Sequence, residues 1–196
     1  KLHPSGADRI QTELHLLFYQ YNSDYPSIEF TTFINATFYN RGTQTLYNFQ
    51  CGSIIDFDLG NYSDDFIGTT PASNLAYVYN GDLNDGPING YPGFGISPPA
   101  VGIVTLNKPL YSHIPLGSNE PPATPAGNAN LMMGLHSDGT PFIKPDSSIT
   151  RYIYDDHTPG GWNEYSINNP QGDRKSIISF DGTTFAPATI LCYDMA

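Results

Sequence analysis

Four carboxylates fall within ten residues in the run Asp56-Phe57-Asp58-Leu59-Gly60-Asn61-Tyr62-Ser63-Asp64-Asp65. Oxygen ligands at that density are the raw material of a hard-cation site. Asp56 and Asp58 alternate, so an extended segment carries both on one side. Gly60 allows a bend sharp enough to bring Asn61, Asp64 or Asp65 and a backbone carbonyl back toward them. Like charges about 5 Å apart repel by roughly 3 kcal/mol per pair at an effective dielectric of 20, so a compact loop calls for a neutralising cation. Ca²⁺ accepts an irregular oxygen shell, whereas Mg²⁺ demands a tight octahedron and Zn²⁺ favours His or Cys. The expected cofactor is therefore Ca²⁺, held by Asp56, Asp58, Asn61, Asp64 and Asp65, with Asp82 as a further ligand. The competing reading is a solvated acidic loop whose Asp side chains cap turns. The run is not an EF-hand, because the twelve-residue frame with its closing Glu is absent. Asn80-Gly81-Asp82 and Asn84-Asp85-Gly86 offer more oxygens where their loop folds back, although both triplets read first as turns.

Other constellations carry less chemistry. No nucleophile elbow, zinc-protease helix, phosphate-binding loop or Cys-x-x-Cys pair is present, and the five His residues, at 3, 15, 113, 136 and 157, show no metal-ligand spacing. Asp155, Asp156, His157 and Glu164 could supply the acid and base of a glycoside hydrolase. The same residues fit a polar turn, Asp-Asp-His-Thr-Pro-Gly-Gly, and the expectation is a protein that is not an enzyme. His136, beside Asp138 and Gly139, reads likewise as a turn. Aromatic residues in Gly- and Pro-rich loops are better candidates for binding: Trp162 first, then Tyr91 and Phe94. Exposed rings stack on sugars or anchor protein interfaces, and the alternative is that they cover the ends of a core.

The elements that position these residues must be mostly strand and loop. Nineteen Gly, seventeen Pro and only 14% charged residues argue against long surface helices, and 196 residues fit one domain, taken as 1–196. A net charge of −11 repels a phosphate backbone, which excludes nucleic acid as the expected partner. No long apolar run, signal peptide or lipidation motif occurs, so membrane insertion is not expected. The sequence begins at Lys1 rather than Met, which fits either a removed leader or a trimmed start. Cys51 and Cys192 form an even pair, read as a disulfide in an oxidising compartment; the alternative is two buried thiols on neighbouring strands.

Period-two alternation starts with Ile10, Thr12, Leu14, Leu16 and Phe18 on one strand face, and Leu17, Tyr19 and Tyr21 make the other partly apolar. Residues 28–39 read as a second strand, with Asn40-Arg41-Gly42-Thr43 as a hairpin turn into residues 46–55. Further strands are expected at 75–79, 100–106, 151–154, 176–180 and 189–193. Residues 128–135 fit a short helix or a buried strand equally well, and the Pro-rich stretch 115–130 is the one candidate linker. Many short strands between Gly/Pro/Asn/Asp-rich loops define the expected fold: all-β, an antiparallel β-sandwich of jelly-roll type.

A resemblance attaches to several of these runs. Thr37-Phe38-Tyr39-Asn40-Arg41-Gly42, the acidic run continued to Phe66-Ile67-Gly68, Leu75-Ala76-Tyr77-Val78-Tyr79-Asn80-Gly81-Asp82, Pro98-Pro99-Ala100-Val101-Gly102 and Gly172-Asp173-Arg174-Lys175 followed by Phe185-Ala186-Pro187 occur in that order. Together they resemble a module of secreted multidomain surface proteins of Bacteroidota, commonly found in large proteins exported by the type IX secretion system. The resemblance implies extracellular or cell-surface residence, and no activity. Thr69-Thr70 stand where that module often has Cys-Asp, which removes one carboxylate. The sequence also stops within its last expected strand, so self-association through that C-terminal strand edge is expected. Three functions follow as expectations: a calcium-stabilised adhesion or recognition module binding protein or glycan at the cell surface, a structural subunit of a filament or coat, and a carbohydrate-binding or carbohydrate-cleaving module.

Overall fold

The computed structural model describes residues 9–117 and 124–196. His3 and the middle of the Pro-rich stretch, including Pro121 and Pro122, lie outside the described residues. Aromatic and β-branched residues alternating with polar ones produce an all-β, sandwich-like arrangement of antiparallel sheets. Strands β1 (Thr12–Tyr19) and β2 (Phe33–Asn40) pair in full register, from Thr12 opposite Asn40 to Tyr19 opposite Phe33. A short helix α1 (Pro26–Glu29) stands between them where the sequence suggested strand; Pro26 at its first position supplies the fixed φ. After the hairpin turn come β3 (Leu46–Phe49), β4 (Gly52–Asp56), β5 (Asp65–Thr70), β6 (Leu75–Asn80), β7 (Ala100–Val104) and β8 (Leu110–Leu116). Helix α2 (Pro125–Met132) settles the ambiguity at 128–135, with the Thr124 side chain capping it by accepting from Gly127 N. The two-residue strands β9 (Phe142–Ile143) and β10 (Ile149–Thr150), then β11 (Lys175–Phe180), β12 (Thr183–Phe185) and β13 (Ile190–Met195), complete the order.

Sheet β1-β2-β13 and sheet β5-β6-β7 are joined by hydrogen bonds at the last residue of β7 and just past it. Val104 N donates to Ala196 O at 2.8 Å, Ala196 N to Val104 O at 3.0 Å and Leu106 N to Asp194 O at 2.8 Å. The C-terminal strand expected to present an open edge is therefore internal: β2 holds one side and residues 104–107 the other, with Asn107 clamping Asp194 through both its amide atoms. Within this sheet, among the described residues, it is β1 that has a strand on one side alone. Across the core lies sheet β4-β11-β8, with Ile55, Leu110, Ile178 and Phe180 meeting Ala36 and Tyr193. Residues 151–154 do not form the expected strand; Tyr152 makes only a parallel bridge to His113. Among the described residues no helix is long and apolar enough to cross a membrane.

The two cysteines are free, which corrects the expected disulfide. Strand parity is the reason. On β13, Tyr193 and Met195 point into the core, so Cys192 points outward, with Thr37 Oγ1 3.8 Å from its sulfur. Cys51 instead packs against the inner cluster, on the far side of that strand, and burial pushes its thiol up to about 12. A thiol reagent is expected to modify Cys192 in the folded protein and Cys51 only after unfolding, while a reductant leaves the melting temperature unchanged; a mass-spectrometric labelling series measures both.

His113, on β8, is buried, and its Nδ1 lies 2.7 Å from Thr69 Oγ1. The Thr69 hydroxyl donates to Ile153 O, so it accepts from His113, which fixes the neutral Nδ1–H tautomer. Burial holds this imidazole down at about 3, against roughly 6.5 in an unfolded chain. The unfolded state thus takes up the proton first, and the stability contributed above about pH 6.5 is lost as pH falls toward the folded value. Denaturation midpoints should decline between about pH 6.5 and 5, and the H113Q variant should show a shallower decline.

Candidate metal centre

Alternation continues through the acidic run and divides it. Ile55, Phe57 and Leu59 turn inward, so Asp56 and Asp58 turn out to solvent. There they meet Asp173, with one carboxylate oxygen from each of the three lying within 4.8 Å of the others. This outer group already has a cation: Lys175 Nζ lies 2.9 Å from Asp56 and 3.7 Å from Asp173. Gly60, at φ +59°, then turns the chain into a single 3₁₀ turn at Tyr62–Asp64, capped by Asn61, whose Oδ1 accepts from Ser63 N. The turn delivers Asp64 and Asp65 to the start of β5, on the other side of the loop from the first pair.

The inner group is built differently. Asp65 is fully buried and sits directly opposite Asn80 in the β5–β6 ladder, so the two side chains share one face of the sheet. Each of three side chains uses one atom to hold the protein and leaves an oxygen over. Asp64 Oδ2 accepts from Asn61 Nδ2 at 2.8 Å, Asp65 Oδ2 accepts from Leu59 N at 3.3 Å, and Asn80 Nδ2 donates to Asp82 O at 3.0 Å. The remaining oxygens, Asp64 Oδ1, Asp65 Oδ1 and Asn80 Oδ1, are buried without a hydrogen-bond partner. Buried oxygens are rarely left so, because each costs about 1–3 kcal/mol. Burial pushes Asp65 up to about 7 against the Leu59 N–H that favours its charged form, and Asp64 and Asp85 add to the rise. Asp64 is raised as well, by burial and by Asp85 and Asp82.

Asp85 closes this group from the next loop. It is buried, with Oδ1 accepting from Asn61 N at 2.7 Å and Oδ2 from Phe94 N at 2.8 Å. A Cβ on Gly60 would lie 1.8 Å from this carboxylate, so glycine is required there by contact as well as by φ. Of the residues expected from sequence, Asp64 and Asp65 come together, Asn61 acts as a cap and brace, and Asp82 stands exposed at the rim, accepting from Asn84 N. Asp56 and Asp58 form the separate outer group. Asn80 and Asp85 read from sequence as turn residues, and the signal that points to them is the pair of Asn/Asp-Gly triplets.

The other expected site residues are tied into the scaffold. Glu164 is buried, accepts from Ile67 N at 2.7 Å and pairs with Arg174 at 2.8 Å. Asp155 receives Lys144 at 2.6 Å, and Asp156 caps its turn by accepting from Thr158 N and Oγ1. Both ring nitrogens of His157 are engaged, by Tyr77 Oη at 2.6 Å and Thr70 Oγ1 at 2.9 Å. His136 stacks on Phe142 at 3.7 Å. Trp162 is half-buried against Tyr154, with Lys144 Nζ 5.5 Å from its ring, rather than standing free at a loop tip. Tyr91 and Phe94 are exposed, on the loop that Asp85 clamps. A cleft of about 440 Å³ opens between Tyr77, Tyr79, His157, Asn163 and Tyr165. No protein family, curated protein or solved structure matches the chain.

Asp85 makes a specific demand on the loop that follows it. Replacing it with Ala removes two acceptors and leaves Asn61 N and Phe94 N unpaired, at a cost of about 1–3 kcal/mol. Limited proteolysis of D85A should cut within residues 86–95 several times faster than in the unaltered protein. Equal cleavage rates would mean that the carboxylate is not what restrains the loop.

Proposed function

We propose that this protein is a non-enzymatic, calcium-stabilised extracellular β-sandwich module for adhesion or recognition at a bacterial surface. The observation that carries the reading is the set of three buried, unpartnered oxygens on Asp64, Asp65 and Asn80 beside two further carboxylates. Oxygen-only donors, a mixture of carboxylate and amide, and irregular placement across a turn and two strands suit Ca²⁺ better than Mg²⁺ or Zn²⁺. Such an ion neutralises the repulsion among Asp64, Asp65 and Asp85, and through Asp85 it steadies the loop bearing Tyr91 and Phe94. Those exposed rings are the recognition surface of the proposal, for a protein or glycan partner. The surface location rests on the resemblance to secreted Bacteroidota modules.

A ligand that binds only the folded state stabilises it by about 2.7 kcal/mol at a hundred times its dissociation constant, which for a chain of this size raises the melting temperature by roughly 5–10 °C. Calcium should produce that shift and a chelator should reverse it. D65A should abolish the shift, whereas D56A/D58A should keep it. No calcium shift in the unaltered protein, confirmed by metal analysis, overturns the metal reading. The recognition reading is checked by glycan-array and cell-binding measurements in calcium and in chelator, with Y91A/F94A expected to lose binding while melting normally.

A further inference from the structure

Strand β1 carries apolar side chains that none of the described residues covers. In the β1–β2 register Leu14, Leu16 and Phe18 stand opposite Phe38, Ala36 and Ile34, all of which face the core. These three side chains of β1 therefore point to the core side of the sheet, yet they are 47%, 53% and 59% exposed. Leu17 and Tyr19 are exposed on the opposite face. Among the described residues β1 pairs only with β2, so its outer row of backbone N–H and C=O groups has no strand beside it.

We propose that β1 is a self-pairing edge, joining two copies of this chain as an antiparallel β1–β1 ladder about a two-fold axis perpendicular to the sheet. A two-fold contact must be self-complementary, and the sequence of β1 meets that condition in a register centred on Leu16. Leu16 then faces Leu16 of the second copy and Leu14 faces Phe18 on the core side, while His15 faces Leu17 and Glu13 faces Tyr19 on the other. No charge meets a like charge. Every pair also preserves the facing required by the pleat, since opposite residues lie on the same side of a continuous sheet. The protein carries a net charge of −11, but here the local carboxylate is Glu13, already paired with Arg41 at 2.7 Å. With Ile10 and Tyr21, the strand offers on the order of 700 Å² of exposed apolar residues, taking about 200 Å² for a fully exposed large side chain. A stable interface uses about 800 Å² per partner, and a typical monomer's largest patch is about 300–600 Å².

Sedimentation of the intact chain over the micromolar range should show a concentration-dependent doubling of mass. L16K, at a position already in solvent, should melt normally and dimerise at least ~10-fold more weakly. L83K, on the exposed loop after β6, should dimerise as the unaltered chain does. In a C192S background L16C should form an interchain disulfide on oxidation, because Leu16 meets its own counterpart at the axis. A protein that stays monomeric at every concentration, or a dimer that L16K does not weaken, overturns the proposal and leaves the face to a different occupant.

Discussion

Burying like charge is the constraint around which one end of this molecule is arranged. Asp65 and Asp85 are 0% and 1% exposed, with Asp64 and Asp82 nearby and, among the described residues, no Lys or Arg in an ion pair with any of the four. A fold keeps carboxylates in such surroundings only by hydrogen-bonding them, protonating them or neutralising them with a cation. Backbone N–H groups deal with Asp85 completely and with Asp65 by half. The unsatisfied remainder is concentrated on three oxygens rather than spread through the loop. That concentration separates this group from the turn caps, since a capping Asp such as Asp138, Asp146 or Asp156 spends its acceptor on the residues two positions ahead.

Glu164 shows the other way of burying a carboxylate. It accepts from Ile67 N in the middle of β5, from Asn169 Nδ2 and from the Arg174 guanidinium, so each oxygen is used. Strand β5 thus lies between two acids handled in opposite ways, with Asp65 at its start left in part unsatisfied and Glu164 closing over its centre. Removing Arg174 would create the problem that the Asp65 end already has. The Gly68 position on the same strand solves a different one: a Cβ there would lie 2.3 Å from the Tyr77 hydroxyl, so the absence of a side chain lets the ring of Tyr77, which lines the aromatic cleft, pack against β5.

Alternation made the fold class and most strands legible, because burial follows the period of two along β6 and β13. It failed on β5, where Asp-Phe-Ile-Gly-Thr-Thr is buried on both faces and has no polar phase to read. The site was legible by composition and illegible by geometry. Acid density located the loop, yet parity sent Asp56 and Asp58 to solvent and the turn after Gly60 sent Asp64 and Asp65 inward. Asn80 and Asp85 look like ordinary turn residues until the β5–β6 register places them against Asp65. The disulfide reading failed for a related reason: spacing in sequence says nothing about which side of β13 a cysteine occupies.

The pairing of β13 with β2 brings together segments as far apart as Asn35 and Asp194, whose side chains bond at 2.6 Å. A central position in the layer is thus filled by a stretch 159 residues along the chain from its partner. Loop closure over such a distance is slow, and a partly synthesised chain would have both neighbours of the missing strand unpaired. Productive closure of both sheets therefore has to wait until residues 190–196 are available to lie between β2 and residues 104–107.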